Sequence, residues 1–180
     1  MSEVDTQTRE EIEVQRELLL RYGIEQHVST LIKKGAEAVR TLRPQSGQQS
    51  PMEESQLRNL LNVALETSSV DVITNFIRYQ IGRSPNIWGS KEKDFGPTLI
   101  RDIETGNVLK AAEQITEDMR GQVSAEHLGD VSQRAYLRLT RLYLGYAMRV
   151  FYYCKKREEA KDPQAWENLF RSEKGGDSAA

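Results

Sequence analysis

The positions with the clearest chemical potential are Arg134, Arg138, Arg141, Arg149 and Lys156, which recur at steps of three and four, with Gly145 filling the one gap and Tyr152 continuing the row. On a helix such a row forms one stripe, rising about 5.4 Å per turn. Successive turns can then meet successive phosphates of a polyanion. Contacts of this kind supply affinity without reading sequence and weaken with salt. Residues 130–157 hold seven Lys/Arg and one acid, inside a chain of formal net charge −2. Local positive charge on an otherwise acidic protein points to a specific anionic partner. Gly145 leaves room for another backbone to approach. The same arginines also fit the acids of the first helix or of a neighbouring subunit.

Catalytic signals are sparse. His27 and His127 cannot build a zinc site with the lone Cys154, because the usual ligand spacing is missing. No glycine-rich phosphate loop and no Gly-x-Ser-x-Gly elbow occurs. Glu10, Glu11, Glu13 and Glu17 lack a base or metal framework and read as a solvated helix face. Arg120 and His127, six residues apart, resemble the Arg-x4–6-His motif of HEPN-type ribonucleases, which implies metal-independent RNA cleavage with histidine as acid or base. The turn-like residues 121–126 between them and the commonness of the pair make a surface histidine the expected outcome. No enzyme activity and no cofactor is expected.

The elements that must position these residues are helical throughout. Nothing alternates with period two for long enough to make a sheet, so the fold class is all-α: a single-domain bundle of six or seven helices with a long C-terminal helix. Thr8 with Glu11 predicts a capping box for an acidic first helix ending near Gly23. A second helix follows from Ile24, with Ile24, Val28, Leu31, Ile32, Val39 and Leu42 inward. Residues 44–52 read as a linker between an acidic helical segment, 1–43, and a bundle core, 53–160. Ser50, Pro51 and Glu53 restart the chain, with proline at the first helical position. The third helix turns Leu57, Leu60, Leu61, Ala64 and Leu65 inward. The fourth, from Ser68 or Ser69 to Gly82, does so with Ile73, Phe76, Ile77 and Ile81. Residues 83–97 read as a long loop in which Trp88 plugs a bundle end. Short helices at 98–105 and 107–119 precede a turn, and the long helix starts at Asp130. Its expected inward row is Leu139, Leu142, Tyr146, Val150 and Tyr153. Tyr136, Tyr143, Phe151 and Tyr152 are likewise assigned to packing or a subunit interface rather than to base stacking. Residues 161–180 form a tail with one amphipathic turn at 163–172 and a disordered end.

A single cysteine gives no intrachain disulfide, the acidic start is no signal peptide, and no run reaches the roughly 18 apolar residues that span a bilayer. A cytoplasmic protein with no membrane partner is expected.

Three segments in order carry a family resemblance: SQLRNLLN (55–62), FIRYQIGR (76–83) and YLRLTRLYLGYAMRVFYY (136–153). They resemble the opening, the basic-aromatic segment and the final helix of the small subunit of type III-A (Csm) CRISPR–Cas effector complexes. The likeness covers about residues 52–156. The acidic first helix, the 43–51 loop and residues 106–129 are longer than the family requires, and its terminal Gly-Gly is replaced. The resemblance implies a non-catalytic helical subunit that self-associates, joins other CRISPR effector subunits, and touches guide RNA and target RNA through their backbones, leaving sequence to base pairing. The family's basic positions fall on Arg58, Arg78, Arg83, Arg138, Arg141 and Arg149. With Arg134 and Lys156 they make the expected nucleic-acid surface. A helical oligomerisation or adaptor protein, its stripe bound to an acidic protein surface, is the alternative.

Overall fold

The apolar residues of the first forty positions lie on one helix rather than two. The computed structural model describes residues 3–44, 48–162 and 164–166, and α1 runs unbroken through Glu3–Arg40. Gly23 does not end it. The glycine instead lets α6 come close: a Cβ on Gly23 would sit 3.1 Å from the Ile115 side chain. A glycine selected for helix contact is indistinguishable from a helix stop when only one chain is read. Thr8 accordingly falls inside α1, not at its start.

Six further helices follow among the described residues: α2 (Glu54–Glu66), α3 (Val70–Arg83), α4 (Pro85–Trp88), α5 (Phe95–Glu104), α6 (Asn107–Asp118) and α7 (Ala125–Glu159). The all-α class and the long C-terminal helix are as expected. Pro51 lies before α2 rather than inside it; the cap is Glu53, whose backbone N–H donates to the Gln56 side chain at 2.9 Å. The expected loop at 83–97 contains the single turn α4 and the start of α5. Gly89 makes this possible by adopting φ +79°, a region closed to most side chains. The Asp94 carboxylate then accepts the backbone N–H groups of Ser90 and Lys91 at 2.9 and 2.8 Å. Trp88 is fully buried 5.8 Å from the Phe95 ring, plugging the bundle as anticipated. α7 starts five residues earlier than Asp130, after Ser124.

Each helix contributes to one core. Leu20, Leu31 and Val39 of α1 share it with Leu57 and Leu60 of α2, Ile73 and Ile77 of α3, and Leu99 and Ile103 of α5. α1 and the helices that follow residue 53 therefore share one core. α1 lies along α7 so closely that a Cβ on Gly35 would meet the Ala147 backbone nitrogen at 3.1 Å. Burying each such aliphatic side chain contributes about 1.5–3 kcal/mol.

The inward face of α7 differs from the expected row. Leu139 is buried, but its companions are Ala135, Tyr143, Ala147, Phe151 and Cys154. Leu142, Tyr146 and Val150 flank the core, and Tyr153 is exposed. Both rows fit a step of three or four, and only the positions of α1, α2 and α6 decide between them. Beyond α7, Trp166 packs edge-on against Phe151 at 6.1 Å. Most of the expected turn at 163–172 and the chain end lie outside the described residues.

Candidate nucleic-acid interface

α7 presents its stripe along a line that begins against α1 and ends against α2. The first half is occupied by the protein itself. Arg134 donates to Glu13 at 2.8 Å and to Glu17 at 2.9 Å, and lies 3.4 Å from Asp130. Arg138 donates to the other Glu17 oxygen at 2.6 Å. Hydrogen bonds from these guanidinium groups hold the Glu13 and Glu17 carboxyls below the usual range. Their contribution to stability is therefore present at neutral pH and lost as pH falls through the lowered values. The acidic surface that these two arginines meet is the chain's own α1.

Arg141 has a different task. Its Nε donates to the Ala64 carbonyl at 2.8 Å and its Nη2 to the Leu65 and Thr67 carbonyls at 3.3 and 2.9 Å. Those carbonyls belong to the last turn of α2 and its C-cap, Thr67, where acceptors have no intrahelical donor. Arg141→Ala is expected to cost about 1.5–3 kcal/mol, the range for hydrogen bonds involving a charged group, read as a lowered urea midpoint.

Arg78 is likewise engaged, donating to both oxygens of Glu104 at 2.9 and 2.6 Å. That bidentate bond lowers the Glu104 carboxyl's pKa. Arg83, the last residue of α3, is exposed and makes no ion pair or side-chain hydrogen bond among the described residues.

The second half of the stripe faces outward. Arg149 is exposed, with no ion pair among the described residues and its guanidinium 5.5 Å from the Tyr146 ring centroid. Lys156 lies 5.5 Å from the Tyr152 ring and 2.8 Å from Glu159. Glu54 of α2 stands between two cations, 3.7 Å from Lys156 and 4.0 Å from Arg58. Arg58 and Lys156 thus face solvent at the α2–α7 seam, opposed by Glu54 and Glu159, and Arg149 faces solvent two turns before Lys156 on the same stripe. Gly145 has nothing within 4 Å of its would-be Cβ among the described residues, so this side of α7 is open with respect to them. Of the eight expected positions, the structure gathers three here, gives four to internal bonds, and leaves Arg83 on another helix.

Two of the aromatics assigned to packing or a subunit interface lie outside the core. Tyr152 and Tyr153 are exposed, at 48% and 51%. Tyr143 and Phe151 are buried as expected, and Tyr136 donates its hydroxyl to the Ile103 carbonyl at 3.0 Å. Adjacent tyrosines cannot both face inward on a helix that turns 100° per residue, and Phe151 and Cys154 on the core face were the available signal.

Catalytic groupings are not assembled at the sequence-predicted positions. Arg120 pairs with Glu117 at 2.8 Å, whereas His127 faces the Ser124 hydroxyl at 2.6 Å through Nδ1. Among the described residues no three His, Cys, Asp or Glu side chains are grouped to hold a metal ion. Burial pushes the Cys154 thiol up to about 11, away from nucleophilic use. Among the same residues no helix is long and apolar enough to cross a membrane. Compared with known proteins, the chain matches no family model, no curated protein and no solved structure.

Proposed function

We propose that this protein is a non-catalytic helical subunit of a type III CRISPR ribonucleoprotein, contacting RNA backbones through the outward half of the α7 stripe. The observation that carries the reading is the Arg58, Arg149 and Lys156 patch beside the open flank at Gly145, on the helix whose sequence bears the family likeness. Two carboxylates sit among three cations, so a single patch binds weakly. Copies arrayed along one RNA reach useful affinity because later contacts form at high effective concentration. Guide and target RNA and the other effector subunits are the partners implied.

The test is fluorescence anisotropy with labelled RNA over a salt series. Wild-type binding should weaken as salt rises. Arg58→Glu with Arg149→Glu should flatten the logarithmic salt slope by about 1.4, two contacts at ~0.7 each on a single strand. Arg134 and Arg138 are unsuitable probes, because reversing them breaks the clasp with α1. No RNA affinity at low salt, for the protein alone or mixed with its effector partners, would end the proposal.

One observation favours a second reading, an oligomerisation or adaptor protein that docks through α1 rather than through the basic stripe. Val14, Leu18 and Tyr22 recur every four residues on the outer face of α1 and are 59%, 60% and 65% exposed. An apolar row on solvent marks a protein contact. Under that reading high salt leaves a partner complex held by this row intact, and Leu18→Glu disrupts it.

A further inference from the structure

The geometry points to Tyr152 as a base-stacking platform, which would make the α7 patch prefer single-stranded over duplex RNA; this inference rests on the RNA-binding reading above. Tyr152 stands on α7 between two cations, Arg149 one turn before it and Lys156 one turn after. Arg149 and Lys156 are seven residues apart, about 10.5 Å along the axis at 1.5 Å per residue. That span accommodates a nucleotide with a phosphate on either side of its base. The Tyr152 ring is 48% exposed. Lys156 lies 5.5 Å from its centroid, and its hydroxyl makes no hydrogen bond among the described residues. A half-exposed ring with an unused hydroxyl, covered only by the solvent-facing Lys156 side chain, gives a base a surface to stack on once that ammonium swings aside to a phosphate.

Neighbouring rings do not share this freedom. Tyr153 accepts a hydrogen bond from Arg157 at 2.9 Å under that guanidinium, and Arg157 is itself bound to Asp162. Tyr146 is partly buried beneath Arg149. Tyr143 is in the core, bonded to Asp102 at 2.8 Å. Tyr152 alone on α7 combines exposure, an unused hydroxyl and a cation on both sides.

The consequence separates two kinds of binding. A purely cationic patch favours the duplex, whose phosphates are denser. It also accepts an acidic peptide. A stacking ring needs bases that are already unpaired, and an acidic peptide has none to offer. Guanidinium and ammonium groups beside the ring add cation–π attraction to the stacked base.

Affinity is measured by anisotropy, at fixed low salt, for three probes. These are a single-stranded RNA of about 12 nucleotides, within the usual footprint of such sites, the same strand annealed to its complement, and an abasic ribose-phosphate strand of equal length. Wild-type protein should bind the single strand about tenfold more tightly than either other probe. Tyr152→Leu should remove that advantage while leaving duplex and abasic binding unchanged, and Tyr152→Phe should retain it. Circular dichroism melting confirms that the variants fold. Equal binding of all three probes, or an unchanged Tyr152→Leu, overturns the inference while leaving backbone contact standing. Displacement of RNA by polyglutamate as efficiently as by unlabelled RNA overturns it in favour of an acidic protein partner. Absence of RNA binding overturns both this and the function on which it rests.

Discussion

Lys155→Met is expected to destabilise the fold by about 3–5 kcal/mol, the range for removing one partner of a buried ion pair. Lys155 is only 7% exposed. Its ammonium donates to the Ser50 carbonyl at 3.0 Å and stands 3.5 Å from a buried Glu158 oxygen that has no hydrogen-bond donor among the described residues. The other Glu158 oxygen accepts from the Ser50 backbone N–H and the Trp166 ring N–H, each at 3.2 Å. This one pair therefore fixes the segment before α2 and the segment after α7 to the end of the long helix. Methionine keeps the stem's packing but leaves the carboxylate without its counter-charge and the Ser50 carbonyl without its donor.

Thermal unfolding followed by circular dichroism should show a fall of roughly 10 °C, since each kcal/mol shifts a domain of this size by about 2–4 °C. The cause is separable from lost volume by a second variant. Lys155→Met with Glu158→Gln keeps an acceptor for Ser50 and Trp166 and removes the uncompensated charge. It should recover most of the loss. A double variant as unstable as Lys155→Met would assign the effect to the Ser50 carbonyl instead.

Neither partner of this pair stood out when the chain was read as a string. Lys155 and Glu158 sit in a charged run that reads as a solvated helix end, and only Ser50 and Trp166, about a hundred and eight residues away respectively, make it interior. The same limit explains the basic stripe. Its period was legible, as were α3, α6, the apolar row of α3 and that of α2 apart from Leu65, which is exposed, because they depend on local spacing. Which turn of the stripe meets solvent was not legible, because it depends on where α1 lies. Reading Gly23 as a helix end detached Glu13 and Glu17 from the helix that carries them along α7. With α1 continuous, those acids face Arg134 and Arg138, and the accessible cations shift to the α2 end. Two periodic rows on α7 were equally compatible with a helix, and the choice between them moved Tyr152 from packing to solvent.

Tyr143→Ala is expected to be at least as damaging as loss of Lys155, at about 3–5 kcal/mol for the truncated aromatic and a further ~1–3 for the partner left without its donor. Tyr143 is completely buried and donates its hydroxyl to Asp102. Burial raises the Asp102 carboxyl above its ordinary range, outweighing the opposing effect of the tyrosine hydrogen bond. A carboxyl raised in the folded state contributes most below the unfolded value, and stability is lost as pH rises through the folded one. Tyr143→Phe isolates this element: it keeps the ring and removes the bond that supports the ionised carboxylate. Its deficit relative to wild type should be small in acid, where Asp102 is protonated, and grow towards neutral pH. Asp102→Asn in the Tyr143→Phe background abolishes the charge and should flatten that pH dependence. Urea unfolding of the four proteins at acidic and neutral pH measures each term, and a Tyr143→Phe deficit independent of pH would show that the carboxylate finds another donor. Tyr143 lies on the face of α7 opposite Tyr152 and Asp102 on α5, so the Phe variant should bind single-stranded RNA as wild type does wherever it is folded.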